Sequence, residues 1–94
     1  MQKSLRTSRQ QLLLSLLVQA RKAKGMTQAD VAAALDRPQS FVAKYENNER
    51  RIDVVEFIDI AGVLGVSSVD ILSKIEAAGD RPKRPVRRKS QPIG

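Results

Sequence analysis

Gln39, Ser40, Ala43 and Lys44 are spaced to lie along one side of a helix, with Phe41, Val42 and Tyr45 along the other. These four are residue types that read DNA. A glutamine can bond two edge positions of adenine, a lysine reaches guanine or phosphate, and an alanine can touch a thymine methyl. They suit an ordinary solvated helix face equally well, and spacing alone does not separate the two. Other chemistry is poorly supplied. The chain has no Cys and no His, which removes the usual zinc, iron–sulfur and haem sites, cysteine nucleophiles and any Ser-His-Asp triad. The carboxylates Glu49, Asp53 and Glu56 are accounted for as helix caps and solvated helix charge. Neither an enzymatic activity nor a cofactor is expected.

The elements that must hold these residues read as five helices. Ser8 with Gln11 has the form of a capping box, and Leu13, Leu16, Leu17 and Ala20 recur at helical spacing behind it. Gly25 ends that helix as a C′ glycine would. Thr27 caps a second helix that carries Val31, Ala32 and Leu35 on one face. Asp36-Arg37-Pro38 breaks the chain, and Pro38 suits the first turn of a third helix reaching about Asn47. Asn47-Asn48 supplies the stop, since Asn tolerates the left-handed conformation. Asp53 with Glu56 opens a fourth helix through Phe57, Ile60, Ala61 and Leu64 to Gly65. Ser67 or Ser68 starts a fifth with Val69, Ile71, Leu72 and Ile75, ending near Gly79. No segment alternates polar and apolar as a half-buried strand would, so the fold class is all-α. The second and third helices are too short to stand alone and need the first and fourth as backing.

Charge divides the 94 residues unevenly. Lys and Arg total 17 against 10 Asp and Glu, a formal +7. Residues 1–79 hold 11 basic and 9 acidic groups, whereas 80–94 hold 6 basic groups and Asp80 alone. The domain is therefore placed at 8–79, and the proline-rich basic segment 80–94 is expected to be a disordered tail. An apolar share of 41% suffices for a compact core. Without Cys no disulfide marks the chain as secreted. The apolar-rich run from Leu12 to Val18 is far shorter than the roughly 20 residues of a spanning helix. It leads into Gln19-Ala20-Arg21-Lys22 and not into a small-residue cleavage site. A cytoplasmic protein with no membrane partner is expected.

From about Leu17 to Leu72 a longer pattern holds. It runs Arg21…Lys24-Gly25-Met26-Thr27-Gln28…Val31-Ala32…Leu35, then Pro38-Gln39-Ser40-Phe41-Val42…Lys44-Tyr45-Glu46-Asn47. It continues through Glu49-Arg50-Arg51, Phe57…Ile60-Ala61…Leu64-Gly65-Val66 and Ile71-Leu72. This stretch resembles the phage-repressor/Cro-type helix-turn-helix family. The resemblance implies a five-helix lambda-repressor-like domain that binds double-stranded DNA as monomer or homodimer and regulates transcription. It puts Gln39, Ser40, Ala43 and Lys44 on base-reading positions. Gln28, at the start of the second helix, falls on a phosphate-holding position, where free N–H groups and the helix dipole favour an anion. Asn47, Asn48, Arg50 and Arg51 fall on the loop that grips the DNA backbone. Arg21 and Glu46 match a structural pair that bridges the first and third helices. Asp36 and Asn48 stand where the family commonly has Gly, and Ser68 and Asp70 stand where relatives often have dimer contacts. Val55, Ile58 and Ile75 are expected in the core, with an exposed apolar patch as the alternative.

The function expected is that of a sequence-specific transcriptional regulator, a repressor acting by promoter occlusion. The alternatives are an antitoxin binding its own operator and a toxin, or an adaptor that uses the fold as a scaffold. The tail would follow DNA phosphates, bind an acidic protein partner, or serve only for solubility.

Overall fold

The computed structural model describes residues 7–78. The expected tail at 80–94 and the expected helix end at Gly79 lie outside the described residues. Five helices follow one another: α1 Ser8–Ala23, α2 Gln28–Leu35, α3 Gln39–Glu46, α4 Val54–Leu64 and α5 Ser68–Ala77. There is no strand among the described residues.

Side chains start most of these helices. Thr27 and Asp30 form a reciprocal capping box at α2, and Asp53 and Glu56 form another at α4. Ser67 caps α5 by accepting from the Asp70 amide. At α1 the cap is Thr7, not Ser8. The Thr7 hydroxyl accepts from the Gln10 amide at 3.1 Å, and Thr7 holds the extended backbone that an N-cap requires. Ser8, the expected cap, is the first residue inside the helix. Pro38 likewise stands one place earlier than expected, as the N-cap of α3 with no side-chain cap bond.

The first four helices end in one way. At α1 the amides of Gly25 and Met26 turn back to the carbonyls of Lys22 and Arg21. The same 5→2 and 6→1 pair of bonds recurs after α2, α3 and α4. The residue at the turn has positive φ in each case: Gly25, Asp36 at 59°, Asn48 at 62°, and Gly65. Asp36 and Asn48 therefore occupy the left-handed slot that glycine fills without a Cβ penalty.

One core joins all five helices. Leu14 and Leu17 of α1 meet Val31 and Ala32 of α2, Phe41, Val42 and Tyr45 of α3, Phe57, Ile60 and Leu64 of α4, and Ile71 of α5. α1 packs against α3, α4 and α5, while α2 packs against α3 and α4. This arrangement backs the short α2–α3 pair on both sides, as its length demands. Ile75 is half-buried against the core. Val55 and Ile58 are not in it, being 67% and 53% exposed. The buried stripe of α4 is Phe57, Ile60, Ala61 and Leu64, at i, i+3, i+4 and i+7. Val55 and Ile58 fall outside that stripe, so the expected core assignment is corrected to the exposed alternative.

Candidate nucleic-acid interface

The third helix divides cleanly by burial. Phe41, Val42 and Tyr45 are buried, whereas Gln39, Ser40 and Lys44 are exposed and Ala43 is half-buried between them. Phe41 and Tyr45 pack edge to face at 5.5 Å, one turn apart. Burial, with the negative charge of Glu46 beside it, pushes the Tyr45 phenol up to about 12. It stays neutral and holds the inner side of the helix in the core. Lys44 enters no salt bridge among the described residues.

What sets the angle of α3 is a polar network around Glu46. Arg21 donates from Nε to Oε2 at 2.7 Å and from Nη2 to Oε1 at 3.1 Å. Its remaining nitrogen, Nη1, donates to the Met26 carbonyl at 2.9 Å. The hydrogen bond to Glu46 raises the pKa of Arg21 against the opposing effect of burial. Gln28 Nε2 donates to the same Glu46 Oε1 at 2.9 Å. Gln28 Oε1 in turn lies 3.5 Å from Gln39 Nε2, at the limit of a hydrogen bond. The chain Arg21–Glu46–Gln28–Gln39 thus ties the end of α1, both ends of α3 and the start of α2 together. The pairing of Arg21 with Glu46 follows the expectation. The bonds that link Gln28 to Glu46 and Gln39 join residues 18 and 11 positions apart, and nothing in the local sequence marks them.

The α2 start also leaves backbone donors available. The first amides of any helix have no partner within it. In α2 the Thr27 hydroxyl satisfies the amide of Asp30, and the Asp30 carboxylate turns back to the Thr27 amide. The hydrogen bond that the Asp30 carboxylate accepts from the Thr27 amide, with one from the Thr27 side chain, holds that carboxyl below its ordinary pKa. The amides of Gln28 and Ala29 stand ahead of the helix's own ladder.

The loop after α3 carries the other expected phosphate residues, and they do not share one environment. Asn47 is exposed at the C-cap, and Asn48 turns the chain at positive φ. Arg51 is exposed. Arg50 is turned inward. Its two terminal nitrogens each donate to Glu56 at 2.9 Å, and one also reaches the Arg51 carbonyl. Arg37 meets the same Glu56 at 3.1 Å. Both guanidinium groups lie over the Phe41 ring, at 4.3 Å for Arg37 and 4.7 Å for Arg50. The hydrogen bond from Arg50, with those from the Asp53 amide and Arg37, holds the Glu56 carboxyl down at about 2. This clamp is the main feature that sequence reasoning missed. The Asp53–Glu56 capping box was its only visible signal, because a cap leaves the outer carboxylate oxygens available to a cation.

No helix among the described residues is long and apolar enough to cross a membrane. A helix-turn-helix family model matches residues 17–71. No curated protein matches the chain. Among solved structures, an XRE-family like protein from Pseudomonas syringae pv. tomato str. DC3000 has 54% identity and a TM-score of 0.72, over 74% of this chain and 85% of that one. A mutant of the restriction-modification controller protein C.Esp1396I has 24% identity and a TM-score of 0.67, over 74% and 89%. The clp gene regulator ClgR from C. glutamicum has 20% identity and a TM-score of 0.66, over 74% and 91%. At those last two identities the likeness is one of fold. With the family match spanning more than half the chain, and the first structure sharing 54% identity, the chain belongs to the phage-repressor/Cro-type (XRE) helix-turn-helix family, a family of DNA-binding transcription regulators.

Proposed function

We propose that this protein is a cytoplasmic, sequence-specific transcriptional regulator that reads the DNA major groove with α3 and represses by occluding a promoter. The observation that carries the reading is the exposed polar face of α3, Gln39, Ser40, Ala43 and Lys44, on a helix held at both ends by buried or networked side chains. A base-reading side chain must arrive already oriented, and the contact with Gln28 does this for Gln39. Gln28 and the first amides of α2 take one phosphate. Asn47, Asn48 and Arg51 follow the backbone on the other side of α3, and the basic segment 80–94 adds sequence-independent, salt-sensitive affinity. A two-fold dimer would set two copies of α3 on half-sites about one DNA turn apart. The exposed Val55 and Ile58 of α4 and Val69 of α5 offer apolar area for self-association.

Fluorescence anisotropy on a selected duplex and a scrambled one, across a salt series, tests this reading with the full chain and a 1–79 truncation. The selected duplex should bind roughly a thousandfold more tightly. The truncation should show a flatter salt slope. If no duplex is preferred and the truncated chain ignores DNA, the regulator reading is wrong.

A further inference from the structure

An open groove of about 360 Å³ lies where the start of α1, the loop before α4 and the inner side of α5 meet. Apart from Arg51, the residues of the proposed DNA interface take no part in it. Its walls are largely apolar, with Leu13, Phe57 and Ile75 inside and the exposed Val54 and Leu72 beside them. Two further observations distinguish it from an ordinary crevice between helices.

The first is Gln10, which lines the groove and is 7% exposed. Its Nε2 is buried and meets no hydrogen-bond acceptor among the described residues. Native proteins seldom leave a buried amide donor in this state, and an arriving acceptor relieves its cost. The second is the charge of Arg9, another lining residue. Arg9 donates to the backbone carbonyls of Glu76 and Ala78, and no carboxylate among the described residues pairs with it. Arg51 brings a second guanidinium to the lining, against the single carboxylate of Asp53, which accepts from the Glu56 amide. Apolar walls, one unmet donor and an excess of positive charge define a complementary ligand.

We propose that this groove binds a small apolar carboxylate. The hydrocarbon lies along Leu13, Phe57, Leu72 and Ile75, and the carboxylate accepts from Gln10 Nε2 near the charges of Arg9 and Arg51. Arg51 also belongs to the loop proposed to hold DNA phosphates, so an occupant that engages Arg51 lowers DNA affinity. This last step rests on the proposed DNA reading. Binding in the groove does not.

The test is an NMR titration of the full chain with decanoate, using decanol and decyltrimethylammonium as controls of the same chain length. Decanoate should shift the Leu13, Val54, Leu72 and Ile75 methyls and the Gln10 side-chain amide. It should bind at least about tenfold more tightly than decanol, from one charge-assisted hydrogen bond, and the cationic amphiphile should bind least. Gln10→Leu should melt higher than the parent, because the unmet donor is gone, and should lose the preference for decanoate over decanol. Leu72→Asp alters an exposed position, so it should fold normally and bind decanoate at least about tenfold more weakly by charge repulsion. Absent shifts, equal affinity for all three amphiphiles, or decanoate affinity unchanged in both variants would each overturn the proposal. So would concentration-dependent shifts of these methyls without ligand, which would assign the groove to a second copy of the chain. Decanoate should also weaken binding to a selected duplex in the parent and not in Leu72→Asp. Shifts without any preferred duplex would uphold the groove and overturn the DNA reading. A preferred duplex without shifts would do the reverse.

Discussion

Arg21 grips Glu46 along both edges of its carboxylate, 25 residues away in the chain, with bonds of 2.7 and 3.1 Å. Their side chains are only 12% and 7% exposed. Removing one partner of so buried a pair leaves the other without a match. Glu46→Ala strands two donors, Arg21 and Gln28 Nε2, whereas Arg21→Ala still leaves Glu46 the bond from Gln28. Glu46→Ala should therefore destabilise by about 2–4 kcal/mol, and more than Arg21→Ala. It should also weaken DNA binding, since the α3 angle and the Gln28 side chain relax together. Urea unfolding and duplex anisotropy of both variants check this. Equal losses in the two, or unchanged melting and affinity, would remove Glu46 from this role.

The contact between Gln28 and Gln39 predicts a coupling between a phosphate position and a base-reading one. Gln39→Ala and Lys44→Ala should each cost about 1–3 kcal/mol on the preferred duplex and little on a scrambled one. Gln28→Ala should weaken both duplexes and reduce the selectivity that depends on Gln39. The double variant Gln28→Ala, Gln39→Ala should lose less than the two single losses combined, by about 0.5 kcal/mol or more. Strict additivity on the preferred duplex would show that the two side chains act independently.

Acid should act first through Glu56. Its folded-state carboxyl is held at about 2 by the hydrogen bond from Arg50 and those from the Asp53 amide and Arg37, well below the ordinary value of about 4.3 for an unfolded chain. A depressed carboxyl contributes stability that is fully present above its unfolded pKa. That stability is lost as pH falls from about 5 toward the folded value near 2. Solvent reaches both arginines, so the contribution is put at about 1–2 kcal/mol, below the full linkage value. Urea midpoints between pH 7 and pH 2.5 should fall more steeply for the parent than for Glu56→Gln. Parallel curves would mean that the clamp adds nothing to stability.

The backbone offers two substitutions of opposite kind. Asp36 holds φ at 59° in the slot where Gly25 and Gly65 sit after other helices. Asp36→Gly should stabilise by about 0.5–1 kcal/mol by removing the Cβ penalty. Gly62 lies within α4, and a Cβ built there meets nothing within 4 Å. Gly62→Ala should stabilise by a similar amount, about 0.5–1 kcal/mol, through helix propensity. Thermal melts of both variants decide the matter. A fall in melting temperature for Asp36→Gly would mean that the aspartate side chain holds the turn in a way its backbone angles do not reveal.

Local chemistry made most of the fold legible. Three of the five helix starts, those of α2, α4 and α5, and the turns at Gly25, Asn48 and Gly65 follow from caps and left-handed residues within a few positions of one another. The α1 start was misplaced by one residue because Thr7 and Ser8 are both good caps, and only their backbone angles separate them. Val55 and Ile58 were misassigned because apolar type does not identify the stripe that packs. The exposed face of α3 was legible from its i, i+1 and i+4 apolar set. The links from Gln28 to Glu46 and Gln39 were not, nor were those from Arg37 and Arg50 to Glu56. Each spans from 6 to 19 residues and depends on how α2, α3 and α4 cross.

Arg50 stands at a position that the family resemblance gives to a phosphate, and its own contacts hold it elsewhere. The family position suggests a phosphate contact, yet its guanidinium is engaged twice by Glu56 and lies 4.7 Å from the Phe41 ring centre. Reaching DNA would require breaking two charge-assisted bonds and uncovering Phe41. Arg50→Ala should therefore lower the melting temperature while leaving the salt dependence of duplex binding nearly unchanged. Arg51→Ala, at an exposed position of the same loop, should instead reduce the salt slope by about 1. Equal reductions of the salt slope in both variants would mean that Arg50 leaves Glu56 for a phosphate when DNA binds. In that case Glu56→Gln, by freeing the guanidinium in advance, should tighten binding to any duplex.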